Sequence, residues 1–123
     1  MPTHLQCSGA NNELRAVDYL KRQGYRIIER NFRTRTGEID IIALDQDTLV
    51  FVEVKSKTSP AFGSPKNAVT FQKQRRISKT ALFYLKMTRQ SHVRARFDVV
   101  AITSDPAGDT IELIKNAFAP PPY

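Results

Sequence analysis

Two apolar, β-branched runs separated only by Asp45-Gln-Asp47 constrain this chain more than any other feature. The first run covers residues 38–44 (EIDIIAL) and the second residues 48–56 (TLVFVEVKS). Each has strand length, and an aspartate in so short a connection can bond its own backbone, so the pair reads as an antiparallel hairpin. Residues two apart in a strand share a face. Val50, Val52 and Val54 therefore form one apolar face. Glu53 and Lys55 project from the other, beside Phe51, and Glu38 and Asp40 share a face of the partner strand. At about 3.3 Å rise per residue, Glu53 and Lys55 stand roughly 7 Å apart along their strand. Antiparallel pairing can bring Asp40 within reach of Glu53, although sequence leaves the register open.

The flanking segments place this hairpin in a mixed sheet. Residues 1–9 read as a loose arm. A helix is expected over 11–23, with Leu14, Val17 and Leu20 as its apolar stripe, Asn11 or Asn12 as its cap and Gly24 at its end. Glu13 would then lie in the first turn, where the helix dipole favours a carboxylate. A strand follows over 25–32, then a basic turn over 33–37. Beyond the hairpin, residues 58–65 (TSPAFGSP) form a loop. A long helix is expected over 66–89, burying Val69, Ile77, Ala81, Tyr84 and Leu85. Strands over 96–103 and 111–114 complete the order, and 119–123 form a proline-rich tail. The fold class is thus α/β, an α-β-β-β-α-β core with a further short strand and helices flanking the sheet. With 123 residues and 41% hydrophobic content, residues 1–123 have room for a single domain.

The charge is unevenly distributed. The net charge is +7, and no acidic residue stands between Glu53 and Asp98. That one-signed interval would steer a polyanion inward, which makes nucleic acid the expected partner. The residues expected to contact it are Lys57, Lys66, Lys73, Arg75, Arg76 and Lys79, together with Arg33 and Arg35 in the turn leading to Asp40. Cys7 is the only cysteine, so neither an intrachain disulfide nor a thiolate metal cage is available. His4 and His92 are too isolated for a histidine-based site. The N-terminal residues lack an apolar signal region and no run reaches membrane-spanning length, so a cytoplasmic location and no membrane partner are expected.

The chemistry lies in the acids and the lysine. Carboxylates brought close together repel one another, and a divalent cation relieves that cost. Hard cations such as Mg²⁺ or Mn²⁺ take oxygen ligands of the kind Asp40 and Glu53 supply. They can polarise a phosphoryl oxygen and help form a hydroxide nucleophile, while a lysine stabilises charge building on phosphorus. Glu-x-Lys on a strand is also what a solvent-facing edge strand looks like. The acidic strand before it and the basic helix after it favour the catalytic reading. Asp98, in an apolar strand, reads as a buried acid paired with a nearby arginine. Phe83 and Tyr84 read as core or helix surface rather than base-stacking platforms.

These residues resemble the PD-(D/E)xK nuclease superfamily. More closely, the chain resembles the YraN-like family of small bacterial proteins, related to archaeal-type Holliday junction resolvases. The resemblance covers residues 9–118 and is carried by the stretches 13–16 (ELRA), 31–33 (NFR), 37–42 (GEIDII), 51–55 (FVEVK), 96–101 (RFDVVA) and 116–118 (NAF). It implies a restriction-endonuclease-like fold. It also implies a metal-dependent nuclease acting on branched or structured DNA in repair or recombination. A homodimer is expected from size and fold, since a 123-residue domain has little surface to hold a junction alone. Residue by residue, the resemblance makes Asp40 and Glu53 metal ligands and Lys55 the motif lysine. Glu13 becomes an acid of the first helix that completes the metal site, and Glu38 becomes part of the Gly-Glu-Ile-Asp signature. Ile39 stands where the superfamily carries its eponymous proline, as in the closer family. The rival expectation is a non-catalytic nucleic-acid-binding adaptor that keeps the fold. A third is a protein-interaction domain whose basic helix docks an acidic partner.

Overall fold

A computed structural model describes residues 4–57 and 69–119. The element order is α1 (His4–Arg22), β1 (Arg26–Thr34), β2 (Gly37–Asp45), β3 (Thr48–Lys57), α2 (Phe71–Met87), β4 (Ala95–Thr103) and β5 (Thr110–Phe118). The five strands lie in sequence order in one sheet. β3 and β4 are parallel, because α2 carries the chain back across the sheet; the other neighbours are antiparallel. The expected α-β-β-β-α-β order is therefore present.

Both faces of the sheet are covered, which is why its central strands are apolar on both sides. On one face Ala16, Val17 and Leu20 of α1 pack with Ile41, Ala43, Val50, Val52, Val100 and Ile102. On the other, Ile77, Ala81 and Tyr84 of α2 pack with Ile39, Ile42, Phe51, Phe97 and Val99. The edge of the Tyr84 ring meets Phe32 and Phe51, with centroids 5.2 and 5.9 Å apart. Tyr84 is thus core, whereas Phe83 is half exposed.

Several boundaries differ from the sequence reading. The expected arm of residues 1–9 is replaced from His4 onward by α1, so no cap forms at Asn11 or Asn12 and Glu13 sits mid-helix. Asn12 instead accepts from Arg15 at 3.3 Å. Leu14 is 49% exposed and leaves the apolar stripe to Ala16, Val17 and Leu20. α2 starts at Phe71 rather than residue 66, because Thr70 caps it by accepting from the Lys73 amide at 3.2 Å. Val69 is still buried, just ahead of the helix. β5 spans nine residues rather than four. Its extra length contains an irregularity at Asn116, where the backbone turns left-handed (φ 52°) and the amide donates to Asp98 at 2.9 Å. The loop over 58–65, Lys66 and residues 120–123 lie outside the described residues. Among the described residues, no helix is long and apolar enough to cross a membrane.

Candidate active site

The hairpin opens where the acids stand. β2 and β3 pair from Asp45↔Thr48 to Ile41↔Val52 and then separate. The Asp40 carboxylate takes over the ladder at this point, its Oδ2 accepting from the Val54 amide at 2.8 Å. This fixes the aspartate at the mouth of the split. It also leaves a cavity of about 400 Å³ on the α2 face, lined by Gly37, Glu38, Asp40, Glu53, Thr70, Gln72, Lys73, Arg76 and Ile77.

The acids are held there at an electrostatic cost. Glu53 is only 6% exposed. Asp40 is pushed up to about 7 by burial first and then by the Glu53 charge, against the Val54 hydrogen bond that favours its ionised form. Glu38 and Glu13 add smaller repulsions. Lys73 reaches over from α2 and pairs its ammonium with Glu53 Oε1 at 2.7 Å. Burial works against the charge on Lys73, but Glu53 and its other neighbours raise its pKa on balance. Lys55 is half buried, and its pKa is lowered by the adjacent Lys73 first and by burial second, against the pull of Glu53 and Asp40. Two cations and two anions thus converge on the split.

The structure brings together most of the expected site. Asp40, Glu53 and Glu38 share the cavity, with Lys73 and Arg76 from the basic helix as its cationic wall. Lys55 joins through its contact with Lys73. Glu13 is not among the lining residues. It lies on α1, whose core residues pack on the opposite face, and pairs with Arg30 at 3.2 Å. Its link to the site is the repulsion it exerts on Asp40. Arg33 bonds Glu38 at 3.4 Å and so borders the cavity, whereas Arg35 and Lys79 line a neighbouring cavity with Phe83. Arg75 is exposed and lines neither cavity, and Lys57 is partly buried near the end of β3. Lys73 was expected on phosphate, but its ammonium is engaged by Glu53. Among the described residues, no group of three or more His, Cys, Asp or Glu is arranged to hold a metal ion. Asp40 and Glu53 nonetheless fit a hard cation through their chemistry, being crowded carboxylate oxygens at an open cavity.

Thr70 lines the cavity without having been singled out from sequence, and Gly37, which also lines it, entered only as the first residue of the Gly-Glu-Ile-Asp signature. For Thr70 the available signal was a capping residue three positions ahead of Lys73. For Gly37 it was a glycine bridging the basic turn to an acidic strand. Gly37 has φ 155°, and an added Cβ would stand 3.3 Å from Thr80 Oγ1 and 3.5 Å from Arg76 Cβ. Gly37→Ala is therefore expected to push the hairpin off α2 and cost about 1 kcal/mol or more, read by urea unfolding. Unchanged stability would mean that the hairpin and α2 adjust freely there.

Comparison with known proteins places the chain among small bacterial relatives. The sequence profile described as "Uncharacterised protein family UPF0102" matches residues 12–102. A UPF0102 protein of Syntrophus aciditrophicus is 56% identical over 111 residues, covering 90% of this chain and 87% of the relative. One from Geobacter metallireducens is 52% identical over 118 residues, covering 96% and 97%. One from Clostridium botulinum is 47% identical over 113 residues, covering 89% and 92%.

Proposed function

The chain belongs to the uncharacterised protein family UPF0102, and on that premise we propose that it is a metal-dependent nuclease. In this reading it belongs to the PD-(D/E)xK superfamily and cuts phosphodiester bonds in branched or structured DNA. The observation that carries the reading is the split hairpin. It holds a partly buried Asp40 and a buried Glu53 together against their mutual repulsion, at an open cavity walled by basic residues. A purely structural strand pair has no need of two carboxylates that repel each other at one cavity.

Asp40 and Glu53 would hold the cation, with Glu38 at the same cavity. When bound, Mg²⁺ or Mn²⁺ supplies charge neutralisation and a more acidic water. The chain's own groups do the rest. Arg76 attracts and orients the phosphate from the α2 side, while Lys73 holds the Glu53 carboxylate. Lys55 presents a positive charge to the negative charge that builds on phosphorus. Val54 N–H holds the Asp40 carboxylate in one orientation. Affinity would come chiefly from the phosphate backbone and fall steeply with salt.

The non-catalytic adaptor is favoured by one observation. Lys73 already neutralises Glu53, and among the described residues no group of three His, Cys, Asp or Glu is arranged to hold a metal ion. A single experiment separates the two readings. Labelled duplex, single-stranded, flapped and four-way-junction DNA are incubated with Mg²⁺, Mn²⁺ or chelator. Cleavage that requires metal supports the nuclease; salt-sensitive binding without cleavage under any of these conditions favours the adaptor. Metal alone provides a second readout. Mn²⁺ at a hundred times its Kd should stabilise the wild type by about 2.7 kcal/mol and leave an Asp40→Asn, Glu53→Gln protein unchanged. Equal shifts in both proteins would move the metal away from these carboxylates. Sedimentation in the presence of a junction tests the proposed homodimer, and a strict monomer with full activity would remove it.

A further inference from the structure

The second cavity plays no part in the chemistry above. It is an open groove of about 620 Å³, lined by Arg33, Thr34, Arg35, Thr36, Lys79 and Phe83. Phe83 contributes an apolar ring that is 53% exposed and backed by Phe32, with centroids 6.4 Å apart. The rim is cationic, with three basic side chains and no carboxylate among the lining residues. Arg33 already has Glu38 at 3.4 Å, but an apolar protein segment seated there would have to strip water from Arg35 and Lys79 without giving them a partner. A nucleotide matches both parts, since its base offers a flat π face to the ring and its phosphates offer charge to the rim.

The two cavities share a wall. Thr36 Oγ1 lies 3.0 Å from Thr80 Oγ1, pinning the β1–β2 turn to α2. Gly37 and Arg76 face the acidic cavity, while Thr36 and Lys79 face the other. A strand with a phosphate at the acids therefore needs only to cross this wall to reach Phe83. A base still stacked in a duplex has both faces covered by its neighbours, so only an unpaired, unstacked base can offer its face to the ring.

We propose that this second cavity is a subsite for an unpaired DNA nucleotide next to the scissile phosphate. Its base stacks on Phe83, and its phosphates lie against Arg35 and Lys79. Its placement beside a cut rests on the reading of the acidic cavity as a nuclease centre. It gives the substrate class a definite form: DNA with single-stranded residues flanking the cleaved bond.

The chain has no tryptophan, so Phe83→Trp installs a single tryptophan at an exposed position, excited selectively over the four tyrosines at the red edge of absorption. The variant is titrated in chelator with oligo(dT), a duplex of equal length, oligo(U) and heparin. Quenching by oligo(dT), with little response to duplex or heparin, supports the subsite. Phe83→Ala should then weaken oligo(dT) binding about ten-fold and leave duplex binding unchanged. Equal quenching by heparin would overturn the proposal in favour of a general polyanion site. A stronger response to oligo(U) than to oligo(dT) would overturn the assignment to DNA. An emission shift that follows protein concentration without DNA would assign the ring to a second copy of the chain. The nuclease reading is judged separately: cleavage by wild type without quenching removes the subsite alone, and quenching without cleavage removes the nuclease alone.

Discussion

Glu53→Gln and Lys55→Met proteins are each expected to lose metal-dependent DNA cleavage by about a hundred- to a thousand-fold, the effect of deleting one preorganised electrostatic group from a reaction centre. The informative feature is the accompanying stability. Glu53 is buried, and its charge is the largest repulsion acting on Asp40. Replacing it with an amide of the same shape removes that repulsion. What is lost in return is the pair with Lys73, whose side chain is 39% exposed, so solvent already weakens that attraction. The two changes oppose each other, and without metal the variant should unfold within about 1 kcal/mol of wild type. Lys55→Met relieves the crowding of Lys55 against Lys73 and should be similarly mild. Loss of turnover without loss of stability marks groups retained for chemistry rather than for folding. DNA binding in chelator should persist in both variants, since Arg76, Lys79 and Arg35 are untouched. The reading fails if either variant still cleaves at the wild-type rate, or if its inactivity comes with a large fall in the unfolding midpoint.

The sheet was largely legible because its signals are local. Alternation in β3, the short Asp45-Gln-Asp47 turn and the one-signed charge of α2 are properties of adjacent residues. The parts that escaped depend on contacts distant in sequence. Nothing local announces that the β2–β3 ladder ends at Ile41↔Val52, because the Asp40 side chain takes the Val54 amide that a backbone carbonyl would otherwise accept. Lys73 read as one basic residue among many on α2. Only the packing of α2 over the split brings its ammonium to 2.7 Å from Glu53. Leu14 fitted a helical stripe, yet the stripe that docks is set by the angle at which α1 lies on the sheet, and Ala16 takes the buried position. Phe83 read as core or helix surface rather than a base-stacking platform. Its exposure follows from the β1–β2 turn meeting α2 at Thr80 and stopping short of the next turn of the helix. The expectation for Asp98 did hold, since an acid alternating with Phe97 and Val99 in an apolar strand has to be buried and paired.

That pairing supports the second large effect, on stability: Arg96→Ala is expected to cost about 3–5 kcal/mol, the range for removing one partner of a buried ion pair. Asp98 is fully buried. Its Oδ1 accepts from Arg96 Nε at 3.0 Å and from the Asn116 amide at 2.9 Å, while Oδ2 accepts from the Tyr25 hydroxyl at 2.8 Å. Arg96 also donates to Asp45 at 2.7 Å and to the Tyr25 hydroxyl at 2.7 Å. Its guanidinium carbon stands 5.7 Å from the centre of the Tyr25 ring. One cation thus ties the segment after α1, the end of β2, β4 and the irregularity in β5. The electrostatics agree: burial works against the charge on Arg96, yet Asp98 and Asp45 raise its pKa on balance. Burial and then the bond to Asp98 raise the Tyr25 hydroxyl, keeping it a donor. Without Arg96 the Asp98 carboxylate keeps two neutral donors but no counter-charge, in a place water does not reach. Asp98→Asn should cost less, because an amide needs no counter-charge and can still accept the Asn116 bond. In a double-mutant cycle the two sites should couple by more than about 1 kcal/mol, as expected for contacting charged groups. Thermal unfolding should show the Arg96→Ala midpoint lowered by roughly 10 °C or more. A loss below about 1 kcal/mol would mean that Tyr25 and the Asn116 amide suffice to hold a buried carboxylate, and that the network orients these strands without stabilising them.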